Sequence, residues 1–335
     1  GVGVVVEGCP AGLALKESDI QKDLDRRRTG QSKVTTTRKE DEKIQIMSGL
    51  FKGKTTGTPI SMRVDNKDAD SSKYELIKNL YRPGHADYTY DMKYGFRDYR
   101  GGGRSSARET LGRVAAGSIA KKLLARDKIT VTGFTRQIGH HIAKTLNFKE
   151  IEKNIVRCPD SKMAEDMVKA IMQARKNGDS LGGIVEVIAR GVPAGLGEPV
   201  FDRLDADLAK AVMSIPAVKG VEIGAGFQTA SMKGSECNDV FVMKNKKMTT
   251  KTNNAGGILG GISNGMDIIV KLVVKPTSSI NKAQDTITQK GGNSKIRVEG
   301  RHDPCVAPRA VPIAEAMVAL TLIDHLLRNK NSQLS

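Results

Sequence analysis

The residues best suited to chemistry in this 335-residue sequence lie between Arg82 and Glu109. This stretch combines several arginines with one histidine, a triple glycine and a helix-start pattern. The glycines at 101–103 let the backbone approach a ligand closely, because glycine has no Cβ and tolerates positive φ. The residues from Ser106 to Glu109 fit the S-x-x-E capping box. The pattern predicts a turn that feeds the N-terminus of a helix running to about Arg126.

Such a turn offers free backbone N–H groups and the positive end of a helix dipole, which suits an anion. Arg82, Arg104 and Arg108 flank it, and a guanidinium pairs with carboxylate or phosphate through two parallel hydrogen bonds. The alternative is a surface hairpin with solvated charges. Because arginine, histidine, glycine and helix cap occur so close together, we favour an anion-binding site.

The same stretch resembles chorismate synthases at two motifs, Arg82-Pro-Gly-His-Ala-Asp87 and Gly103-Arg-Ser-Ser-Ala-Arg-Glu109. The similarity extends from the first residues to Leu327. Further matching blocks are Asp25-Arg-Arg-Arg28, Gly191-Val-Pro-Ala-Gly-Leu-Gly-Glu-Pro-Val-Phe-Asp202, Gly256-Gly-Ile-Leu-Gly-Gly261, Lys275-Pro-Thr-Ser-Ser279 and Gly300-Arg-His-Asp-Pro-Cys305. Several long blocks in one order are more specific than any single short motif.

This resemblance implies a lyase of the shikimate pathway, which leads to the aromatic amino acids. The reaction is the anti-1,4-elimination of phosphate from 5-enolpyruvylshikimate 3-phosphate to give chorismate. It needs reduced FMN (FMNH2) although there is no net redox change. The substrate carries one phosphate and two carboxylates, so binding it away from water requires several fixed cations.

By matching position, the resemblance assigns substrate contacts to five basic residues: Arg27, Lys33, Arg82, Arg108 and Arg301. Lys33 occupies a position where relatives usually have arginine, and it keeps the charge but loses the planar fork. The alternative for Arg27 is a solvated position at the end of a helix.

The resemblance assigns catalytic roles to His85, Asp303 and Ser106. His85 is expected to adjust the protonation of the flavin, since an imidazole titrates near neutrality. Asp303 is the candidate base for the ring proton, and its alternative role is to pair with Arg301. Ser106 is expected to donate a hydrogen bond to substrate or flavin.

The expected FMN cradle is formed by Gly256, Gly257, Lys275, Thr277 and Ser279, with Ser106 and Arg301 also facing the cofactor. Glycines admit a ring or phosphate closely, and the other residues offer one cation and hydroxyl groups. The glycine run alone is a weak signal, because it forms neither a G-x-G-x-x-G fingerprint nor a P-loop.

The resemblance also has two interruptions. Relatives begin with a strand and a G-E-S-H-G motif whose histidine protonates the departing phosphate, and here only the final glycine, Gly1, is present. We expect either that the preceding residues belong to the natural chain or that this chain is inactive, and the sequence leaves both open. The span Lys282 to Ser294 is shorter than expected, which leaves room for a further flexible loop.

The net charge of +17 raises nucleic acid as an alternative partner. However, basic residues are spread along the chain, and aromatic residues make up only 4% with no tryptophan. We therefore expect a basic cavity for an anionic substrate and cofactor and no nucleic acid. A third possibility, a flavoprotein oxidoreductase, lacks a nicotinamide fingerprint. The four cysteines show no metal-ligand spacing, so no metal is expected.

The sequence predicts a cytoplasmic protein without a membrane partner, because it has no run of 18 apolar residues and no signal pattern. Distant cysteines agree with reduced thiols. The resemblance implies a homotetramer arranged as a dimer of dimers. It also associates the family with NADPH, while the sequence leaves open which donor reduces the flavin.

Periodicity predicts strands at 2–6, 44–47, 60–64, 129–132, 184–189, 240–243 and 268–274, with a glycine- and threonine-rich turn between the second and the third. It also predicts helices capped at Ser18 or Asp19 and at Asp160 and a helix from Pro312. In the helix that runs to about Arg126, the apolar residues at helical spacing are Leu111, Val114, Ile119 and Leu123. Two segments are repeated: residues 6–13 match 189–196, and 48–53 parallel 256–261. We infer two pseudo-repeated α+β halves, about 2–134 and 184–330, within a single domain spanning 1–335. The family resemblance implies the corresponding β-α-β sandwich, with two sheets around a helical layer.

Overall fold

The computed structural model describes residues 1–36, 42–66, 72–100, 106–298, 300 and 302–333. The described α-helices are α1 (Glu17–Arg27), α2 (Ser72–Glu75), α3 (Asp87–Tyr94), α4 (Thr110–Arg126), α5 (Ser161–Lys176), α6 (Leu204–Met213), α7 (Gly234–Cys237) and α8 (Ala307–Asn329). Short 3-10 helices cover Ala107–Glu109, Phe148–Lys153 and Gly226–Ser231.

The described strands are β1 (Val2–Val6), β2 (Ile44–Ile46), β3 (Leu50–Phe51), β4 (Lys54–Thr55), β5 (Ile60–Val64), β6 (Thr130–Ile138), β7 (His141–Ile142), β8 (Gly183–Arg190), β9 (Val218–Ile223), β10 (Phe241–Lys244), β11 (Lys247–Thr250), β12 (Ile258–Leu259), β13 (Ile262–Ser263), β14 (Ile268–Val274), β15 (Gln284–Ile287) and β16 (Asn293–Ile296). Each pair of neighbouring strands within a sheet is antiparallel.

Two larger sheets enclose the central helices. One has three strands in the order β1-β5-β2, and the other has five in the order β7-β6-β8-β14-β9. Helix α4 packs on β1 and β5, whereas α8 packs on β6 and β8, and the two helices pack against each other. The layers are therefore sheet, helices, sheet. The predicted α+β class and β-α-β sandwich are confirmed.

The central helices bury their apolar side chains against both sheets. The predicted inward residues Leu111, Val114 and Ile119 of α4 are all buried. Helix α8 is the one described helix long and apolar enough to cross a bilayer, but 67% of its apolar window is buried within the protein. It therefore has the burial of a core helix.

Two predicted helix starts were wrong. Helix α8 begins at Ala307, so Pro312 lies inside the helix and Pro308 occupies the first turn. Because proline has no N–H, Pro312 leaves the carbonyl of Pro308 without its helical donor, and Arg157 Nη1 donates to that oxygen at 3.1 Å. Helix α1 is capped at Lys16, whose N–H donates to the Asp19 carboxylate, rather than at Ser18 or Asp19.

The segment between β2 and β5 is more than the simple turn predicted, since it contains the β3–β4 hairpin. The hairpin is fastened to the loop after β1. The Thr55 hydroxyl donates to Pro10 O at 2.6 Å and accepts from Leu13 N at 2.9 Å. The Thr55 backbone also exchanges hydrogen bonds with Gly12 N and Leu13 O.

The β12–β13 hairpin is fastened to the loop after β8 by the same set of bonds. The Ser263 hydroxyl donates to Pro193 O at 2.6 Å and accepts from Leu196 N at 2.9 Å. Its backbone exchanges hydrogen bonds with Gly195 N and Leu196 O. The two segments that repeat in sequence thus also repeat a strand, a loop and a fastened hairpin.

Candidate active site

The loop from Arg82 to Asp87 is a tight turn closed by an ion pair. The N–H of His85 donates to Arg82 O at 3.1 Å, and Gly84 adopts φ +66°. Arg82 is only 8% exposed, and its Nε and Nη2 donate to the two Asp87 carboxylate oxygens at 2.7 Å each. This bidentate pair fixes the ends of the loop.

The ion pair also determines the ionisation of Asp87. Burial by itself would raise the pKa of this carboxyl, but the hydrogen bonds from Arg82 and then His85 outweigh burial and hold the pKa well below its usual range. Asp87 therefore carries a negative charge at neutral pH. Its Oδ1 lies 3.1 Å from Nδ1 of His85.

The segment that follows β14 holds the His85 loop in place. Lys275 Nζ and Ser278 Oγ donate to Gly84 O at 2.6 and 2.8 Å. A Cβ on Gly84 would lie 3.1 Å from Ser278 Oγ, and its positive φ disfavours any other residue. The Arg82 and Lys275 motifs therefore meet although the chain separates them widely.

Asp303 joins the same group of segments. Thr277 Oγ1 donates to the Asp303 carbonyl at 2.8 Å, one residue before the Ser278 that contacts the His85 loop. The Asp303 carboxylate accepts from Thr36 N at 2.8 Å and from Arg309. The structure thus brings the candidate base and the candidate imidazole to two ends of one short segment.

Arg27 lies deeper in the protein than a substrate-contacting residue requires. It is 3% exposed, and its Nη1 pairs with Glu42 at 2.8 Å. Its other nitrogens donate to Thr110 Oγ1 and Ala107 O at 3.2 and 3.0 Å. Burial and then repulsion from Arg309 lower the pKa of Arg27 to about 10, against the attraction of Glu42. The side chain remains protonated at neutral pH and holds the start of α4.

The turn held by Arg27 carries Ser106 and Arg108. The Ser106 hydroxyl accepts from Arg108 N at 3.2 Å and caps the 3-10 helix. The predicted capping box is only half formed, because the Glu109 side chain pairs with Arg113 instead. Arg108 is half-buried.

Lys33 is exposed and lies just before Thr36, a residue that contacts Asp303. Its carbonyl accepts from Arg175 Nη1 at 3.0 Å, and Thr36, which donates to the Asp303 carboxylate, follows three residues later. Lys33 is therefore three residues from a backbone N–H that contacts the candidate base, and the residue is exposed.

Two residues that the sequence interpretation missed connect these parts. Arg309 pairs with the Asp303 carboxylate, and its Nε donates to Arg27 O at 3.0 Å. Asp87 contacts both Arg82 and His85. Asp87 stands inside a matched motif and could have been singled out there, whereas nothing in the local pattern around Arg309 indicated its contacts.

Two of the residues predicted to bind the cofactor, Gly256 and Gly257, lie far from the cluster formed by His85, Lys275 and Asp303. Gly256 packs on Gly224, and a Cβ on Gly257 would lie 2.6 Å from the carbonyl of Asp267. These glycines therefore lie at the start of β14, while Lys275 follows its end. Seven strand residues at roughly 3.3 Å each separate them by about 23 Å. Ser279 is buried beside the Lys275 end.

Other predicted site residues lie outside the described residues. They are Arg301, the glycines at 101–103 and Arg104. Cys305, two residues after Asp303, is described and buried, and burial raises the pKa of its thiol to about 12. It is therefore a poor nucleophile at neutral pH. The part of the chain that the structure describes contains no group of side chains suited to a metal ion.

The arrangement combines an oriented imidazole, a carboxylate held on two sides, a lysine and several hydroxyl groups. Such a set can bind an anion and move protons. The guanidinium groups of Arg27 and Arg82 each pair with a protein carboxylate, Glu42 and Asp87. Fold and site together define an α+β protein with a polar cluster whose side chains are suited to anion binding and proton transfer.

Comparison with known proteins is consistent with this class. The chorismate synthase family model matches residues 1–327. The chorismate synthase of Methanosarcina mazei is 60% identical over 333 residues, covering 98% of this chain and 91% of its own length. That of Chloroflexus aggregans is 58% identical over 335 residues, covering 100% of this chain and 92% of its own.

The fold is also similar to a crystal structure of chorismate synthase, with a TM-score of 0.76 at 32% identity. The superposition covers 97% of this chain and 87% of the other. This chain belongs to the chorismate synthase family. It is thus an enzyme of the lyase class.

Proposed function

We propose that this chain converts 5-enolpyruvylshikimate 3-phosphate to chorismate by anti-1,4-elimination of phosphate. The observation that carries the proposal is the meeting of His85, Lys275–Ser279 and Asp303 in one cluster, through hydrogen bonds to Gly84 and Asp303. These are motifs that the chain shares with its family, and they are far apart in sequence.

Reduced FMN is the cofactor in this proposal, and the residues at the Lys275 end of β14 suit it. Lys275 and Ser278 donate to the carbonyl of Gly84, the residue before His85, and Thr277 donates to the Asp303 carbonyl. A lysine and hydroxyl groups in one short segment suit an anionic cofactor. When bound, reduced FMN supplies electron density to the ring undergoing elimination and regains it, with no net redox change. Lys275, Thr277 and Ser279 would hold it, with Ser106 and Arg301 facing it.

The chain's own groups bind the substrate and move its protons. Asp303 accepts the ring proton through its carboxylate, and His85 holds or releases a proton at Nε2. Arg108, Arg301 and Lys33 neutralise the substrate's phosphate and carboxylates. We assign Arg27 and Arg82 to positioning, because their donor groups are bonded to Glu42, Ala107 O and Asp87. Gly256 and Gly257 are assigned a structural role in the turn before β14.

We also propose that the protein is a cytoplasmic homotetramer arranged as a dimer of dimers, with two pseudo-repeated halves in each chain. The fastened hairpins described above support the duplication. Sedimentation velocity should give about four times the 36.1 kDa chain mass. A monomer at micromolar concentration would contradict the assembly without bearing on the reaction. NADPH is the reductant proposed to keep FMN reduced.

The test of the reaction is anaerobic incubation with the substrate and chemically reduced FMN. We expect phosphate release equal to substrate consumed while the flavin remains reduced. Asp303→Asn should abolish most of the turnover, because an amide cannot accept the ring proton. Asp285→Asn in the β15–β16 hairpin is a control outside the cluster and should retain turnover.

Two outcomes would reject the proposal. Stoichiometric flavin oxidation would indicate an oxidoreductase. No phosphate release, together with salt-sensitive binding of nucleic acid, would favour the alternative partner. The burial and carboxylate pairing of Arg27 and Arg82 already argue against a cationic surface built from these residues.

A further inference from the structure

We propose that Asp87 is a positioning residue that holds His85 as the Nδ1–H tautomer and so makes Nε2 the nitrogen that exchanges protons. Its catalytic consequence rests on the function proposed above, but the tautomer can be measured independently. The proposal begins from the 3.1 Å contact between His85 Nδ1 and Asp87 Oδ1.

The Asp87 carboxylate cannot easily turn away from the imidazole. Arg82 grips both of its oxygens, with Nε on Oδ2 and Nη2 on Oδ1 at 2.7 Å, and the Arg82 backbone N–H adds a bond to Oδ2 at 3.2 Å. Asp87 is 6% exposed and sits at the first residue of α3. The acceptor for Nδ1 is therefore fixed before any ligand arrives.

The direction of the hydrogen bond follows from the charge of Asp87. Its pKa is held below the usual range by Arg82 and His85 despite burial, so the carboxylate carries no proton and acts only as an acceptor. A neutral imidazole facing such an acceptor must place its single proton on Nδ1. Nε2 then carries the lone pair.

The surroundings leave Nε2 available. The His85 side chain is 30% exposed, and Nε2 makes no hydrogen bond to a described residue. Among the described residues, Arg97 lies 3.6 Å from Asp87 Oδ1, and the Lys275 ammonium bonds to the adjacent Gly84 O. Both are donors, so neither offers Nδ1 or Nε2 an alternative carboxylate.

In this geometry each of three residues in one motif has a separate role. Arg82 orients Asp87, Asp87 orients His85, and His85 presents Nε2 to whatever occupies the cluster. In the opposite tautomer, Nε2 would carry hydrogen and could not accept a proton at neutral pH. The motif Arg82-Pro-Gly-His-Ala-Asp87 therefore contains the imidazole together with the two residues that set its protonation.

The direct test is ¹⁵N NMR of the full chain labelled at histidine, with His85 assigned by the signal lost in His85→Gln. We expect two-bond couplings and ¹⁵N shifts of a neutral Nδ1–H ring in the wild type. Asp87→Asn should move the ring toward Nε2–H, because the asparagine amide can donate to Nδ1. Asp91→Asn is the matched control, since Asp91 lies on the same helix as Asp87, pairs with Arg97 and makes no contact with His85.

A wild-type spectrum with hydrogen on Nε2 would overturn the proposal, and this measurement does not depend on a folded Asp87 variant. An unchanged tautomer in a folded Asp87→Asn protein would also overturn it. Where turnover is measured, Asp87→Asn should lower kcat on the order of 10²-fold or more with a smaller change in KM. If the wild type releases no phosphate but shows the Nδ1–H ring, the proposed reaction fails and the tautomer assignment stands.

Discussion

Both oxygens of the Asp303 carboxylate are engaged by the protein itself. One accepts from Thr36 N and the other from Arg309, and Arg309 also donates to the carbonyl of Arg27. A single guanidinium therefore spans the end of α1 and the loop before α8. Its planar fork allows two separate acceptors to be held at once.

Replacing Arg309 by lysine should lower kcat for phosphate release by about 10-fold or more, because an ammonium keeps the charge but cannot reach both acceptors. The comparison is Arg157→Lys, since Arg157 also binds the end of α1, through Arg26 O at 2.9 Å, without contacting Asp303. That variant should lose thermal stability while its kcat changes little. Equal losses of kcat in both variants would show that Arg309 acts only through the fold.

For individual residues, the sequence identified candidate functional side chains but did not predict which other residues they contact. His85 and Asp303 were identified from motifs, and the structure places them in one cluster. Arg27 and Arg82 were predicted to bind substrate, and the structure shows in addition that they pair with Glu42 and Asp87. A guanidinium that binds an anionic ligand and one that binds a buried carboxylate have the same sequence signal, so only the tertiary contacts distinguish them.

At the scale of elements, one buried carboxylate ties three helices and a strand together. Glu315 of α8 pairs with Arg26 of α1 at 2.6 Å and Lys121 of α4 at 2.5 Å, and it accepts from the Gly133 N–H of β6 at 2.8 Å. Burial would raise the pKa of Glu315, but Lys121 and Arg26 overcome it and lower the pKa to about 2. The carboxylate is therefore ionised and fully paired in the folded protein.

The low pKa predicts a pH-dependent stability. The pairing contributes fully above the unfolded pKa of about 4.5 and is lost as pH falls toward 2. The shift corresponds to about 3 kcal/mol. Glu315→Gln should cost about 3–5 kcal/mol at pH 7, because two buried cations lose their partner. In urea unfolding, the difference in the free energy of unfolding between wild type and Glu315→Gln should become smaller from pH 6 to pH 3.

The control for this experiment lies on the same helix. Asp324 is exposed and pairs only with Arg328 at 3.7 Å, so Asp324→Asn should change the free energy of unfolding by less than about 0.5 kcal/mol. If the difference in the free energy of unfolding between wild type and Glu315→Gln stays constant across the pH range, the destabilisation comes from packing rather than charge.

Across the whole molecule, the two segments that repeat in sequence are held by equivalent hydrogen bonds, here called fasteners, and each of these segments with its hairpin is called a half below. Thr55 and Ser263 are both buried, and each hydroxyl joins a proline carbonyl to a leucine N–H. In each half the fastener fixes the strand-to-helix loop against a hairpin. The equivalence of a threonine and a serine shows that the hydroxyl, not the methyl group, is what both halves require.

Removing either hydroxyl should therefore have a similar effect. Thr55→Val and Ser263→Ala each leave a buried N–H and C=O unpaired and should cost about 1–3 kcal/mol. Their effects should add in the double variant, because the fasteners lie in separate halves. Thr55→Ser keeps the bonds and should cost less than about 1 kcal/mol in chemical unfolding. If Thr55→Ser were as damaging as Thr55→Val, the equivalence would be wrong.

The sequence by itself determined the α+β class, most of the strands and the internal repeat, because these follow from local patterns, namely periodicity of two or 3.6 residues and short repeated segments. The sandwich fold, the candidate imidazole and the candidate carboxylate came from the resemblance of its motifs to chorismate synthases. The sequence analysis placed the start of α8 too late, because a proline inside a helix and a proline in its first turn look the same in a sequence. The structure explains that position through the Arg157 contact to Pro308 O.

Only the tertiary structure decided which cations are already neutralised, that Arg309 reaches Asp303, and that Gly257 and Lys275 lie at opposite ends of β14. These facts depend on distances between segments far apart in the chain. No local pattern specifies such distances, since they are set by how the two sheets pack on the helices between them.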